Sequence, residues 1–481
     1  MKAGYFKPLQ LLVIFCFGVI GLSAQDKNEQ YYVSNAPFKM PTVVVPTFTA
    51  KTFSIKDFGA VSDGQTLNTV AFAKAIDACS KAGGGRVVFP AGLWLTGPIQ
   101  LQSNIDLHIE RGALVQFTAD HTQYPFIKAG GGSGTLTPAS PVYGYDLKNI
   151  AITGEGVLDG AGETWRPVKK MKTTDAQWRK LLTSGVVSKD GTIWWPTKEA
   201  MDGEDYLKNL KNKTAKPTPE DYLPARDFLR PYMVYLVNCE NVLLEGVTIR
   251  NSPKFVFYPN HCNNLTMRHV TIFNEWWAQN GDGIDISACK NVMIYKCTVS
   301  AGDDGICMKS SASKNDQPGT FALENIVIAG CTVYHAHGGF VIGSNTDGGM
   351  HNIFVNDCNY IGTDIGIRVK SNAGRGGLVK DIFIKDIFMT DIVTDAISFD
   401  TYYEDVPAGK TIDSVRTTIR DKTPSSEIFI SAKCIVKELP GPFLLPDCRK
   451  CLCTISFLKI WPFPPIKDLS QQMHPISTSK K

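Results

Sequence analysis

The segment "KNVMIYKCTV" (Lys290–Val299) decides how this chain folds, because "ENIVIAGCTV" (Glu324–Val333) repeats it one unit later. Each has an Asn, then apolar residues at alternate positions, then a second short apolar pair. Alternation of period two is the signature of a strand, and the intervening Asn, Asp and Gly are turn formers. The pattern extends in both directions: "KNIAITGEGVLDG" from Lys148, "ENVLLEGVTI" from Glu240, "NNLTMRHVTI" from Asn263, "HNIFVNDCNYI" from His351 and "KDIFIKDIFM" from Lys380. From residue 241 the leading Asn or Asp recurs at 264, 291, 325, 352 and 381, in steps of 23, 27, 34, 27 and 29 residues. A unit of two or three short strands cannot bury its own apolar face, whereas stacked units share one continuous core. The expected fold is therefore all-β, a right-handed single-stranded parallel β-helix. A β-sandwich would place hairpin turns about every 8–12 residues and has no use for a recurring asparagine.

One segment reads as helix. In "NTVAFAKAIDACSKAGGG" (residues 68–85) Val70, Phe72, Ala73, Ile76 and Ala78 have helical spacing, and Gly83 marks the stop. Such a short N-terminal helix would cap the open end of the first coil. The glycines are not a phosphate loop, since no Lys-Ser/Thr follows. Two regions break the repeat. Residues 160–230 are polar and rich in Trp and Pro and read as an insertion. Residues 434–481 fill with Pro and Cys and lose the Asn-headed alternation, as a shifted reading frame would produce. The expected organisation is a leader at 1–24, an extension at 25–50, the solenoid with its insertion at 51–433, and an atypical tail at 434–481.

The leader reading comes from Lys2 and Lys7, the apolar run Leu11–Gly21 and the small residues ending at Ala24. The run is too short to favour a spanning helix. The expected product is exported, periplasmic or secreted, with no integral membrane segment after cleavage. The formal charge of +4 becomes +2 without Lys2 and Lys7, which gives no electrostatic case for nucleic acid. Among the 13 cysteines, Cys239, Cys289, Cys297, Cys331 and Cys358 recur within apolar runs and read as buried thiols rather than disulfides. The tail's "CRKCLC" lacks the orderly four-ligand spacing of a structural zinc site.

Carboxylates gather where the core should be. "NGDGIDISACKNVMIYKCTVSAGDDGICMKS" (Asn280–Ser310) sets Asp282, Asp285, Asp303 and Asp304 among Ile, Val, Met and Cys. One coil raises a residue by one strand spacing, about 4.8 Å. Asp303 lies 21 residues after Asp282, His337 lies 34 after Asp303, and Arg368 lies 31 after His337, so these residues stack on neighbouring coils of one face. Lys370 shares the face of Arg368. Clustered acids let one carboxyl hold a proton for a leaving oxygen while another stays ionised to activate water. Arg368 and Lys370 fit an anionic sugar such as a uronate.

The segments "NGDG" (Asn280–Gly283), "GDD" (Gly302–Asp304), "HGG" (His337–Gly339) and "RVK" (Arg368–Lys370) resemble, in order and spacing, the four signature motifs of the polygalacturonases, glycoside hydrolase family 28. "DFGAVSDGQTLNT" from Asp57 and "GPIQL" from Gly97 resemble that family's entry coil, so the likeness covers about 52–404. It implies a pectin-lyase-like β-helix and an inverting hydrolase of α-1,4-galacturonosidic bonds, needing no metal or other cofactor. Asp303 would be the general acid. Asp282 and Asp304 would hold and activate water, and His337 would tune the acid. Arg368 and Lys370 would bind the sugar carboxylate, Asn280 would contact substrate or shape its turn, and Tyr402 in "FDTYYED" would complete the subsite. Gly281 and Ala336 depart from the family's usual Thr and Gly without removing a catalytic group.

Taken singly, an aspartate most often caps a turn, and Asp285 is assigned that role. Trp276 and Trp277 read equally as core or as a sugar platform. Competing readings are hydrolysis of rhamnogalacturonan or xylogalacturonan, a calcium-dependent pectate lyase, or a non-catalytic glycan-binding β-helix. Trp165, Trp178, Trp194 and Trp195 would wall off one end of the groove and favour exo action. The expected partner is a pectic polysaccharide or oligogalacturonide, met by a monomer.

Overall fold

The computed structural model describes residues 27–129, 135–214, 216–312, 320–372, 375 and 377–400, and as strands alone 425–431, 434–435, 452–453 and 458–460. The leader, Tyr402 and most of the atypical tail lie outside the described residues.

The repeats wind into three long sheets of twelve, nine and nine strands, and successive coils supply successive strands of each. Pairing is parallel throughout the solenoid; at its far end the strand at 458–460 meets 425–431 antiparallel. One nine-stranded sheet concerns function. Its strands are β1 (Ile99–Gln100), β2 (Val142–Tyr145), β3 (Val234–Val237), β4 (Phe257–Asn260), β5 (Ile284–Ser287), β6 (Asp304–Lys309), β7 (Gly338–Ile342), β8 (Ile365–Lys370) and β9 (Asp395–Asp400). In register, Ile284, Ile306, Phe340, Ile367 and Ile397 form an inward column.

The recurring asparagine has a physical reason. Asn104, Asn149, Asn241, Asn264, Asn291, Asn325 and Asn352 all hold left-handed backbone, with φ between 53° and 63°, at the turn leading into the twelve-stranded sheet. Asn tolerates that conformation better than other side chains with a Cβ. The side-chain amides also bond from coil to coil: Asn149 donates to Asn104, Asn241 to Asn149, Asn264 to Asn241, Asn325 to Asn291 and Asn352 to Asn325, at 2.8–3.1 Å.

The glycines of the four motif-bearing coils answer to packing. A Cβ at Gly283, Gly305, Gly339 or Gly366 would lie 2.4–2.5 Å from Val299, Val333, Tyr360 or Met389, which face it across the narrow interior. Cys239, Cys289, Cys297, Cys331 and Cys358 are buried free thiols, as their place in the repeats implies, and Cys262 is another.

The extension before the solenoid lies along the outer face of the twelve-stranded sheet. Its helix α1 (Glu29–Ser34) buries Tyr32 against Met293, Tyr295, Val327, Ala329 and Phe354. Helix α2 (Thr69–Lys81) packs on the first coils, but the stripe it buries is Phe72, Ala75, Ile76 and Cys79. Val70 and Ala73 are exposed, because the docking surface selects the Ala75–Cys79 side of the helix. No helix among the described residues is long and apolar enough to cross a membrane.

Candidate active site

Asp282, Asp304 and their neighbours emerge on the outer face of β5 to β8. Asp304 pairs in register with Gly338, and Gly283 donates its N–H to the Asp304 carbonyl, so Asp282 and Asp304 sit one coil apart. His337 lies directly above Asp303 and donates its N–H to the Asp303 carbonyl at 2.8 Å. Asp282, Asp303 and Asp304 each bring one carboxylate oxygen to within 4.8 Å of the others. Asp282 and Asp304 are buried, while the Asp303 side chain keeps 18% of its exposure and faces the groove.

The stack differs from expectation at Arg368. Its register partner is Val341, above Cys307 and Asp285, so its Cα stands in the column of Asp285 rather than that of Asp304. Gly338 gives its stem room to lean back: a Cβ there would lie 3.4 Å from Arg368 Cβ. Lys370 is buried and places Nζ 2.7 Å from Asp304 Oδ2. Asn280 is held by Arg230, which donates to its Oδ1 at 2.9 Å. A side chain at Gly281 would meet Ala278 Cβ at 2.8 Å, which is why Thr does not stand there.

Asp285 is not a turn cap. It lies within β5, wholly buried, with Lys309 Nζ 2.9 Å from Oδ1 and 3.6 Å from Asp282 Oδ2. Short-range turn statistics misplaced it, because strand alternation carries it to the polar side of the sheet. Burial raises its carboxyl to about 6 despite Lys309. Burial also pushes Asp282 well above the usual carboxylate range, helped by Asp285 and Asp303. At Asp303 burial acts upward too, but the His337 hydrogen bond and the charges of Lys370 and Lys172 outweigh it and bring the group to about 2. Burial and neighbouring carboxylates thus favour a proton on Asp282 over Asp303.

A stability consequence follows from Asp285. A folded-state carboxyl raised from 3.8 to about 6 binds its proton more tightly than the unfolded chain does. Its contribution is complete below about pH 4 and is lost as pH rises through about 6. Thermal melts of the native protein should show this loss of Tm between about pH 4 and 6, and Asp285→Asn should flatten it. A curve unchanged by that substitution would remove Asp285 as the cause.

The insertion brings two further residues that its irregular sequence gave no means of finding. Arg230 also donates to the Gln279 carbonyl, and Lys172 reaches across the groove rim to place Nζ 2.9 Å from His337 Nε2. The tryptophans do not form the wall directly. Trp165, Trp178 and Trp194 are buried, and Trp178 and Trp194 form a small core with Val168 that takes in Trp277 from the motif loop. Trp276 remains 46% exposed.

On the early coils of the same sheet the outer face is tyrosine. Tyr143, Tyr235 and Tyr258 align in register on β2, β3 and β4, and the Tyr235 and Tyr258 rings stack at 5.6 Å and 6°. Tyr232 lies 4.5 Å from Tyr258, ring to ring, and Tyr143 and Tyr235 are buried. The hairpin Phe126–Lys128/Leu136–Pro138 packs on this cluster through Ile127, and Tyr145 donates to its Lys128 carbonyl.

With this geometry in view, the profile of glycosyl hydrolases family 28 matches residues 225–423, which contain all four motifs. Over these residues the chain is similar to glycosyl hydrolases family 28. A rhamnogalacturonase A/epimerase, pectate lyase-like profile matches residues 52–119. A probable polygalacturonase of Vitis vinifera is 28% identical over 346 residues, covering 70% of this chain and 60% of its own length. An exo-poly-alpha-D-galacturonosidase of Dickeya chrysanthemi is 29% identical over 374 residues, covering 74% and 58% respectively. The chain thus spans about three fifths of these relatives' lengths. The crystal structure of a hyperthermoactive exopolygalacturonase from Thermotoga maritima superposes with a TM-score of 0.63 at 29% identity, covering 84% of each chain.

Proposed function

We propose that this chain is an inverting, exo-acting hydrolase of α-1,4-galacturonosidic bonds in polygalacturonate. The observation that carries the reading is the carboxylate cluster, with Tyr143, Tyr235, Tyr258 and Tyr232 packed together on the preceding coils of the same sheet. In this reading the tyrosine cluster stops the polymer on that side, so it enters by its terminus. The names of the Dickeya relative and the Thermotoga structure agree with this reading.

Arg368 takes the sugar carboxylate. The proton stored on buried Asp282 then passes to Asp303, the carboxyl facing the groove. Asp303 gives it to the glycosidic oxygen, the C1–O bond breaks, and water attacks C1 from the opposite face. Asp282, having given up its proton, takes the water's proton beside Asp304. Lys370 holds Asp304 in place, and Asn280 shapes the loop under Arg230. The polymer lies outside the cytoplasm, in keeping with a leader at 1–24.

The carboxylates stand closer than the roughly 6.5–9.5 Å common among inverting enzymes, so the product's stereochemistry is a sharp test. Incubation with polygalacturonate should release mono- or digalacturonate with little early fall in viscosity and no ultraviolet absorbance from unsaturated sugars. Proton NMR during the first turnovers should show the β-anomer. A first-formed α-anomer would overturn inversion, rapid loss of viscosity would overturn exo action, and ultraviolet absorbance suppressed by a chelator would make the protein a lyase.

A further inference from the structure

We infer that Lys172, from the insertion, is a positioning residue that fixes the ring proton of His337 on Nδ1, facing Asp303. The inference rests on reading the cluster as a hydrolase site, and goes beyond it by giving the insertion a part in the chemistry. Lys172 Nζ lies 2.9 Å from His337 Nε2. It also donates to the carbonyls of Gly302 at 2.9 Å and Trp276 at 3.3 Å. An ammonium carries donors and no acceptor, so a ring nitrogen this close must present its lone pair. The single ring proton is then on Nδ1, 3.2 Å from Asp303 Oδ1.

Among the described residues, the carboxylate placed to compete for Nε2 is Asp364, whose Oδ2 is 3.7 Å away, beyond hydrogen-bonding distance. A doubly protonated ring would set an N–H against the ammonium. Anchored on two carbonyls flanking the site, Lys172 also resists rotation of the imidazole. Placement of this kind, through a neighbour that touches no reacting atom, sets which nitrogen of a histidine donates.

The test uses the full chain labelled with 15N at histidine. Long-range proton–nitrogen correlation identifies His337 by the signal lost in His337→Gln. The native protein should show His337 as the Nδ1–H tautomer. Lys172→Met should give a mixture of tautomers and lower kcat on polygalacturonate roughly tenfold, part of the ~10²–10⁴ that a proton-transfer group supplies, with KM little changed. Lys172→Arg, also a pure donor, should restore both. An Nε2–H tautomer in the native protein, or a spectrum unchanged in Lys172→Met, overturns the inference, and the native spectrum alone decides the tautomer however the variants fold. A native protein inactive on polygalacturonate with the Nδ1–H tautomer in place would defeat the hydrolase reading and leave the positioning intact.

Discussion

Asp303→Asn should abolish hydrolysis of polygalacturonate while leaving the fold in place. The carboxyl is the most exposed of the three clustered aspartates and makes its close contact with His337. An amide of equal size keeps that hydrogen bond but can neither store nor release a proton at the leaving oxygen. General acid catalysis contributes about 10²–10⁴ in rate, so kcat should fall by that much with KM nearly unchanged. Reducing-end release measured beside circular dichroism melts checks both halves. Retained activity in a folded variant would move the acid elsewhere in the cluster, with Asp282, whose carboxyl burial pushes well above the usual range, first in line.

The largest effect on stability should come from Lys309→Met. Lys309 is nearly buried and sits between Asp285 and Asp282. Burial works to lower its ammonium, but Asp285, with Cys307, Asp282 and Asp304, outweighs burial and raises it well above the ordinary lysine value. Removing the cation leaves buried carboxylates without their counter-charge, at a cost of about 3–5 kcal/mol. Adding Asp285→Asn should recover much of that loss, because removing both partners of a buried pair is far milder than removing one. Urea melts of the single and double variants measure it. A single variant as stable as the native chain would mean that water reaches the pair.

The coil architecture could be read from Asn241, Asn264, Asn291, Asn325 and Asn352, because one backbone requirement recurs at every turn and only a few side chains meet it. The four coils bearing Asp282, Asp303 and Asp304, His337 and Arg368 were legible for the same reason: in a parallel solenoid, distance along the chain converts directly into height. Lateral position was not. Irregular turn lengths, with steps from 23 to 34 residues, hide which residues stand in register, so that Arg368 proved to stand over Asp285; Asp285 itself was misread because turn preference was weighed above strand alternation. Lys172 and Arg230 escaped because the insertion has no period. Its tryptophans announced a packed body without showing which face it turns to the groove.

A stack of coils ordinarily behaves as a one-dimensional chain, in which each unit answers only to its neighbours and the array can open from any weak point. The strap formed by Lys27 and α1 changes that for the middle of this molecule. Through Arg268, Tyr295, Val327, Phe354 and Asp357 it grips four successive turns of the helix at once, closing a loop of some three hundred residues. None of those turns can loosen without lifting the strap from the other three. The catalytic face, carried by these same turns on the opposite side of the solenoid, is thereby tied into one cooperative block.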